Sequence, residues 1–280
     1  MPKITIEPTK PHIGAKIHIG RADLYDPQVA LDCMAALEHR GVIVFPGLNL
    51  TDSEQLAFTD ALGERVNFTK NAPGGNAAEQ DIYKITLDPE VNQHPEYVLG
   101  TFFWHVDGAT MDMPLPKATL LSGRVLSDKG GQTEFCNLYA AYEHLPDHLK
   151  ADYADLRVLH TIGSSMREVV EEVNEDSVIL LNTASKMNHP LVWTHQSGRK
   201  SLLLGSHADR IFGQPLAQGR ALIRRLTEWA AQPDFIYSHE WEPGDFVIWD
   251  NCGVMHRVNP YDDQRRTMHR TTLAGVERVA

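Results

Sequence analysis

Val29, Leu31, Met34 and Leu37 recur at roughly helical spacing, which predicts a helix over residues 26–40. Residues 41–47 follow a different rule. There Val42, Ile43, Val44 and Phe45 form an unbroken, mostly β-branched run closed by Pro46 and Gly47, the mark of a buried strand. A second helix is expected over 51–62, where Thr51-Asp52-Ser53 supplies capping side chains ahead of Leu56, Phe58 and Leu62. Short strands are expected at 4–6 and 15–19. Beyond about residue 80, short apolar runs dominate, separated by Gly, Pro and Asp: 119–126, 133–138, 202–204, 235–241 and 246–249. Many short strands with such turns predict a sandwich or jelly roll. Helices over 139–145, 146–153 and 215–232 interrupt it. No repeat, low-complexity tract or linker divides the chain. The expectation is one domain over residues 1–280, a mixed, β-rich barrel with flanking helices.

Charge narrows the partners. The formal net charge is -11, and an acidic surface repels phosphate backbones and anionic lipids, so neither nucleic acid nor a membrane is an expected partner. The three cysteines, Cys33, Cys136 and Cys252, are far apart and form no CxxC pair, which argues against a disulfide framework or a cysteine zinc site and for buried, reduced thiols. The first residues lack the apolar core of a signal peptide, and no run approaches the roughly 18 apolar residues of a membrane span. A cytoplasmic protein is expected.

Trp104-His105-Val106-Asp107 carries the first chemical signal. Residues 97–103 ahead of it read as strand, and residues two apart on a strand share a face. His105 and Asp107 then offer an imidazole and a carboxylate to one metal. That is two-thirds of the 2-His-1-carboxylate triad of non-haem Fe(II) oxygenases, which leaves coordination positions open. The pattern is weak alone: His207-Ala208-Asp209 repeats it and His94-Pro95-Glu96 approximates it. A third ligand belongs on a later strand. His256 fits, after the turn-and-strand run from Trp241 to Asn251, with a hydrogen-bonded core histidine as the alternative. Within 264–272, Arg266, Met268, Arg270 and Thr272 share one face if the segment is a strand. Turned inward, the two guanidiniums need anions, because an unpaired buried charge is costly and arginine grips carboxylates with two parallel hydrogen bonds. Turned outward, they make surface ion pairs of little consequence.

Together these residues resemble the taurine dioxygenase / 2,4-D dioxygenase family of Fe(II)/2-oxoglutarate-dependent oxygenases. The matching motifs come in order along roughly residues 40–275: Trp104-His105-Val106-Asp107; Gly130-Gly131-Gln132-Thr133 followed by Tyr139-Ala140-Ala141-Tyr142; Thr194 to Lys200; Gly244-Asp245 with Trp249-Asp250-Asn251; His256; and Gln264 to Arg270. The resemblance implies a double-stranded β-helix, or jelly roll, with helical insertions. It implies His105, Asp107 and His256 as iron ligands, Arg266 on the C5 carboxylate of 2-oxoglutarate, and the Thr133 hydroxyl in support of that carboxylate. Arg270 matches the position that grips the substrate's acid group in sulfonate-using members. Fe(II), 2-oxoglutarate as cosubstrate and O2 are thus implied, and a homo-oligomer is expected. Halogenating relatives lack the carboxylate that Asp107 supplies, so hydroxylation is expected, with bond cleavage where the hydroxylated carbon bears an ether, sulfate, sulfonate or amine.

Two departures bear on substrate. Thr101 stands where members often carry an amide, and residues 66–75, where the resemblance implies a second anion-binding histidine in sulfonate users, hold Asn67, Lys70 and Asn71 but no histidine, which argues against taurine. Phe102, Phe103, Met111 and Met113 flank the motif with apolar surface. The expected partner is therefore a small anionic molecule with an apolar or aromatic body: an aryloxyalkanoate, alkyl sulfate or sulfonate. Glu168, Glu171, Glu172, Glu175 and Asp176 read as a solvated helix face or a lid. Two alternatives stand beside this reading: a cupin-type metalloenzyme that does not use 2-oxoglutarate, and a non-enzymatic jelly-roll binding module.

Overall fold

A computed structural model describes residues 4–67, 82–92, 94–170 and 184–280. Lys70, Asn71 and all of the acidic cluster except Glu168 lie outside the described residues.

The main sheet has seven strands. In spatial order they are β1 (Ile4–Pro8), β2 (Ala15–Ile19), β3 (Val42–Phe45), β13 (Phe246–Asp250), β5 (Ala118–Val125), β15 (Thr267–Leu273) and β4 (Tyr83–Thr86). A second sheet runs β12 (Ile236–His239), β6 (Thr133–Asn137), β14 (Val254–Val258). A third runs β11 (Ala208–Ile211), β7 (Arg157–Thr161), β8 (Lys186–Pro190), and a hairpin pairs β9 (Val192–Thr194) with β10 (Lys200–Leu202). This is the β-rich jelly-roll architecture that the sequence predicts.

Alternation along the strands of the main sheet sorts their apolar residues into two layers, one on each face. Ile43, Phe45, Ala118, Leu120, Phe246 and Ile248 join one apolar cluster with Val29, Cys33, Leu37 and Phe58, from helices α1 (Pro27–Arg40) and α2 (Asp52–Leu62). The intervening residues Val42, Val44, Leu121, Val247, Trp249 and Met268 join another with Phe135 and Val254, from the second sheet. A period of two places successive side chains on opposite faces, so the main sheet is coated by helices outside and packs on the second sheet inside. Parity therefore decides which polar residues face the interior. Thr119 shares a face with Leu121, Thr133 with Phe135, and Arg270 with Met268.

The predicted helices form with their caps. Asp26 accepts from the Gln28 N–H, Pro27 begins α1, and Thr51 and Glu54 make a capping box on α2. One expectation fails. Residues 97–103 are not a strand: Pro95–Leu99 is a short α-helix and Gly100–Phe102 a 3-10 turn. Pro95 sets the first helical position, and the Thr101 hydroxyl donates to the Val98 carbonyl, so local bonds win over an extended run that has no partner strand. The strand expected at 202–204 forms two residues earlier, at Lys200–Leu202, where it pairs with β9. No described helix is long and apolar enough to cross a membrane.

Candidate active site

His105 lies on no strand, yet it pairs like one. It makes an isolated antiparallel bridge with His256 of β14, with the His105 N–H 3.0 Å from the His256 carbonyl and the reverse bond at 2.9 Å. The bridge sets the two imidazoles 4.1 Å apart, centroid to centroid. The chain then turns, and Asp107 reaches the same spot: His105, Asp107 and His256 each offer one ligand atom, all within 4.8 Å of one another. Among the described residues this is the one such group.

The protonation states suit a cation. His105 Nδ1 donates to the Phe103 carbonyl at 2.8 Å, which leaves Nε2 bare, 4.0 Å from Asp107 Oδ1. Burial pushes the His105 pKa down, and burial together with the neighbouring His105 holds His256 well below the usual imidazole range. Burial pushes Asp107 up, but Arg270, His256, His105 and the Thr119 hydroxyl outweigh it, and the carboxyl stays below its ordinary value. Two neutral imidazoles and one carboxylate are what a divalent metal requires. His256 Nδ1 is buried without a hydrogen-bond partner, so this polar pocket also has bonding capacity that the protein leaves unused.

Arg270 stands beside this cluster, and Arg266 is buried against Gly131 and Tyr261. Arg266, just before β15, is 2 % exposed; it donates to the Gly131 carbonyl at 3.0 Å and lies over the Tyr261 ring at 4.5 Å. No carboxylate among the described residues forms an ion pair with it. Thr133 is buried, and its oxygen accepts from Trp241 Nε1 at 2.9 Å, which leaves its hydroxyl proton to donate. Arg270 Nη1 is 3.8 Å from Asp107 Oδ1, and its guanidinium covers the Tyr83 ring at 4.6 Å. Gly131 is the tight point: with φ +78°, a Cβ there would stand 2.9 Å from Arg266 Nε. If Arg266 holds 2-oxoglutarate, as the resemblance implies, Gly131→Ala is expected to displace that guanidinium and weaken 2-oxoglutarate binding about tenfold or more, with backbone strain added. Titration of the Mn(II)-loaded variant with 2-oxoglutarate checks this.

The second His-x-Asp serves the site without joining it. His207 Nε2 accepts the Val106 N–H at 3.1 Å, between the two first-motif residues. Its proton must then sit on Nδ1, facing His160 Nδ1 at 2.7 Å. Asp209 turns away to Arg167, Arg210 and Arg220. His94 pairs with Glu96 at the surface. Nothing in the local pattern distinguished His207 from a ligand. Trp241 and Thr119, which bond to Thr133 and Asp107, carry no local signal of that role in the sequence.

These buried neutral histidines predict an acid limit. Burial lowers His207 to about 3 and His195 to about 4, against 6.5 for an ordinary imidazole. Below about pH 6.5 the unfolded chain binds protons that the folded chain refuses, so stability is full above that pH and falls as pH drops towards 4. Thermal midpoints of the metal-free protein should be flat between about pH 7 and 8 and decline from pH 6.5 downwards. A flat profile to pH 4.5 would contradict the assignment.

A β-rich jelly roll with two histidines and a carboxylate converging in its interior defines the class of non-haem iron oxygenases. The chain belongs to the taurine catabolism dioxygenase TauD, TfdA family, whose model matches residues 5–272. It is 35% identical, over 94% of its length and 91% of the relative's, to an alpha-ketoglutarate-dependent 2,4-dichlorophenoxyacetate dioxygenase of Burkholderia sp. (strain RASC). An alkylsulfatase of Acinetobacter baylyi (strain ATCC 33305 / BD413 / ADP1) is 32% identical over 86% of this chain and 75% of its own. Among solved structures, that of AAD-2 in complex with Mn(II) and N-oxalylglycine superposes with a TM-score of 0.81, at 32% identity, over 99% of both chains. The protein is a 2-oxoglutarate-dependent, non-haem iron dioxygenase, which sets aside the cupin and binding-module alternatives.

Proposed function

We propose that this enzyme hydroxylates a small organic acid with an apolar or aromatic body, such as an aryloxyalkanoate, alkyl sulfate or sulfonate. One observation carries the reading. β15 sets Arg270 against Asp107, one of the three metal-type donors, and the buried Arg266 comes just before that strand, against Gly131 and Tyr261. Arg266 is buried with no ion-pair partner among the described residues, which suits the distal carboxylate of the cosubstrate, and the guanidinium of Arg270 beside the metal-type donors suits an acid on the substrate.

In this reading His105, Asp107 and His256 hold Fe(II). Arg266 clamps the distal carboxylate of 2-oxoglutarate, with the Thr133 hydroxyl donating to the same group. Arg270 takes the substrate's acid, and the Tyr83 ring beneath it keeps the guanidinium plane turned to the site. Bound Fe(II) and 2-oxoglutarate supply O2 activation, so that R–H, O2 and 2-oxoglutarate become R–OH, succinate and CO2. Clamping both acids fixes the reacting C–H by its distance from the anchored carboxylate. Where the hydroxylated carbon bears an ether or sulfate oxygen, the product collapses and the C–O bond breaks. The whole of 1–280 acts as one catalytic domain. Its acidity and scattered, buried thiols favour a cytoplasmic enzyme that meets small molecules rather than nucleic acid or membrane, and the family resemblance favours a homo-oligomer.

The test is anaerobic. Adding 2-oxoglutarate to the Fe(II) protein should give a weak visible charge-transfer band, and aryloxyalkanoates and alkyl sulfates should then drive succinate release. Turnover only on zwitterionic amino acids or uncharged compounds would refute the substrate class. Arg270→Leu should raise the KM for the acid substrate about 30-fold or more while 2-oxoglutarate affinity stays near wild type. Equal losses on both would mean that Arg270 does not discriminate between the two acids.

A further inference from the structure

We infer that Trp249, Asn251 and Thr119 form a one-way hydrogen-bond relay that fixes which oxygen of Asp107 faces the metal. The inference rests on Asp107 being a metal ligand, as proposed above. Trp249 Nε1 donates to Asn251 Oδ1 at 3.0 Å, Asn251 Nδ2 donates to Thr119 Oγ1 at 2.7 Å, and Thr119 Oγ1 donates to Asp107 Oδ2 at 2.8 Å.

The direction follows from the donors. An indole N–H can only donate, so the Asn251 amide must turn its oxygen to Trp249. Its NH2 then faces Thr119, whose oxygen accepts it. The Thr119 hydroxyl proton is left with one acceptor in reach, Asp107 Oδ2. Water does not compete, because Asn251 and Thr119 are 0% exposed and Trp249 2%. The backbone holds the spacing: Trp249 and Thr119 are directly paired across β13 and β5, on the inward face, and Asn251 follows β13 by one residue. The same indole packs against the His256 ring at 4.6 Å, so one side chain braces two of the three donors.

The consequence is a carboxylate that cannot rotate freely. Oδ2 is bound by the relay, while Oδ1 lies on the side of His105 Nε2 and Arg270 Nη1, at 4.0 and 3.8 Å. Asp107 then offers the metal one oxygen and one coordination position. Unrestrained, it could chelate through both and take a position that cosubstrate or O2 needs. These three are positioning residues: none touches the metal position itself.

The experiment compares Mn(II) affinity, by calorimetry on the metal-free protein, with the metal-free thermal midpoint. The variants are Thr119→Val, Thr119→Ser, Trp249→Phe and Asp107→Ala. Thr119→Val should bind Mn(II) about 10- to 100-fold more weakly. Thr119→Ser, which keeps the hydroxyl, should stay close to wild type. Trp249→Phe frees the Asn251 amide to flip and should lose affinity in the same direction but by less. Should Thr119→Val not fold, Trp249→Phe decides, and unchanged affinity there overturns the relay. A drop in thermal midpoint with Mn(II) affinity intact would also overturn it, as plain packing. If Asp107→Ala itself keeps wild-type affinity, the metal assignment has failed rather than the relay alone.

Discussion

Arg266→Ala is expected to weaken 2-oxoglutarate binding by about 2–5 kcal/mol, roughly 30-fold or more in Kd, because truncating one partner of a buried charge pair leaves the other unpaired. The side chain is 2% exposed and its guanidinium meets the Gly131 carbonyl and the Tyr261 ring. Burial lowers its pKa, with Tyr261 opposing, so the cation is held at a cost that a carboxylate bound against it would relieve. The variant without cosubstrate should therefore melt close to wild type, while 2-oxoglutarate should no longer raise its midpoint. Arg266→Lys keeps the charge but loses the two-pronged grip and should fall between. Calorimetric titration of the Mn(II) protein with 2-oxoglutarate measures all three, and an unchanged Kd in Arg266→Ala would remove Arg266 from the cosubstrate site.

Asp107→Ala should cost more than about a hundredfold in Mn(II) affinity, beyond the tenfold to hundredfold of an outer partner, and should abolish succinate release. The loss has two parts. A negatively charged donor disappears, and Arg270, whose Nη1 stood 3.8 Å away, then faces the pocket with its charge uncompensated by that carboxylate. His105 and His256 also lose the anion that opposes the fall in their pKa. Asp107→Glu keeps the charge but not the reach, and the Thr119 bond at 2.8 Å has no slack for a longer side chain. It should recover little. Succinate release within tenfold of wild type in Asp107→Ala would refute the assignment.

Periodicity and capping were enough to read the N-terminal elements. The apolar spacing of 26–40, the run Val42–Phe45 and the Thr51–Glu54 cap are local facts, and local physics built α1, β3 and α2 from them. Parity was legible too: Met268 and Arg270 share the inward face of β15, and the order of motifs pointed to the family. The sequence could not decide among three His-x-acid pairs on spacing alone. That choice was made by one antiparallel bridge between His105 and His256, a contact between residues far apart in the chain. A helix and a turn, not a strand, precede His105, yet the bridge to His256 supplies the alignment that a strand would have given. His207 became a backbone anchor through the Val106 N–H, and Trp249, Asn251 and Thr119 became a relay because β5 lies beside β13 in one register. Side-chain period is a property of each strand and is written in its residues. Register and neighbourhood belong to pairs of strands, and only the packed tertiary structure fixes them.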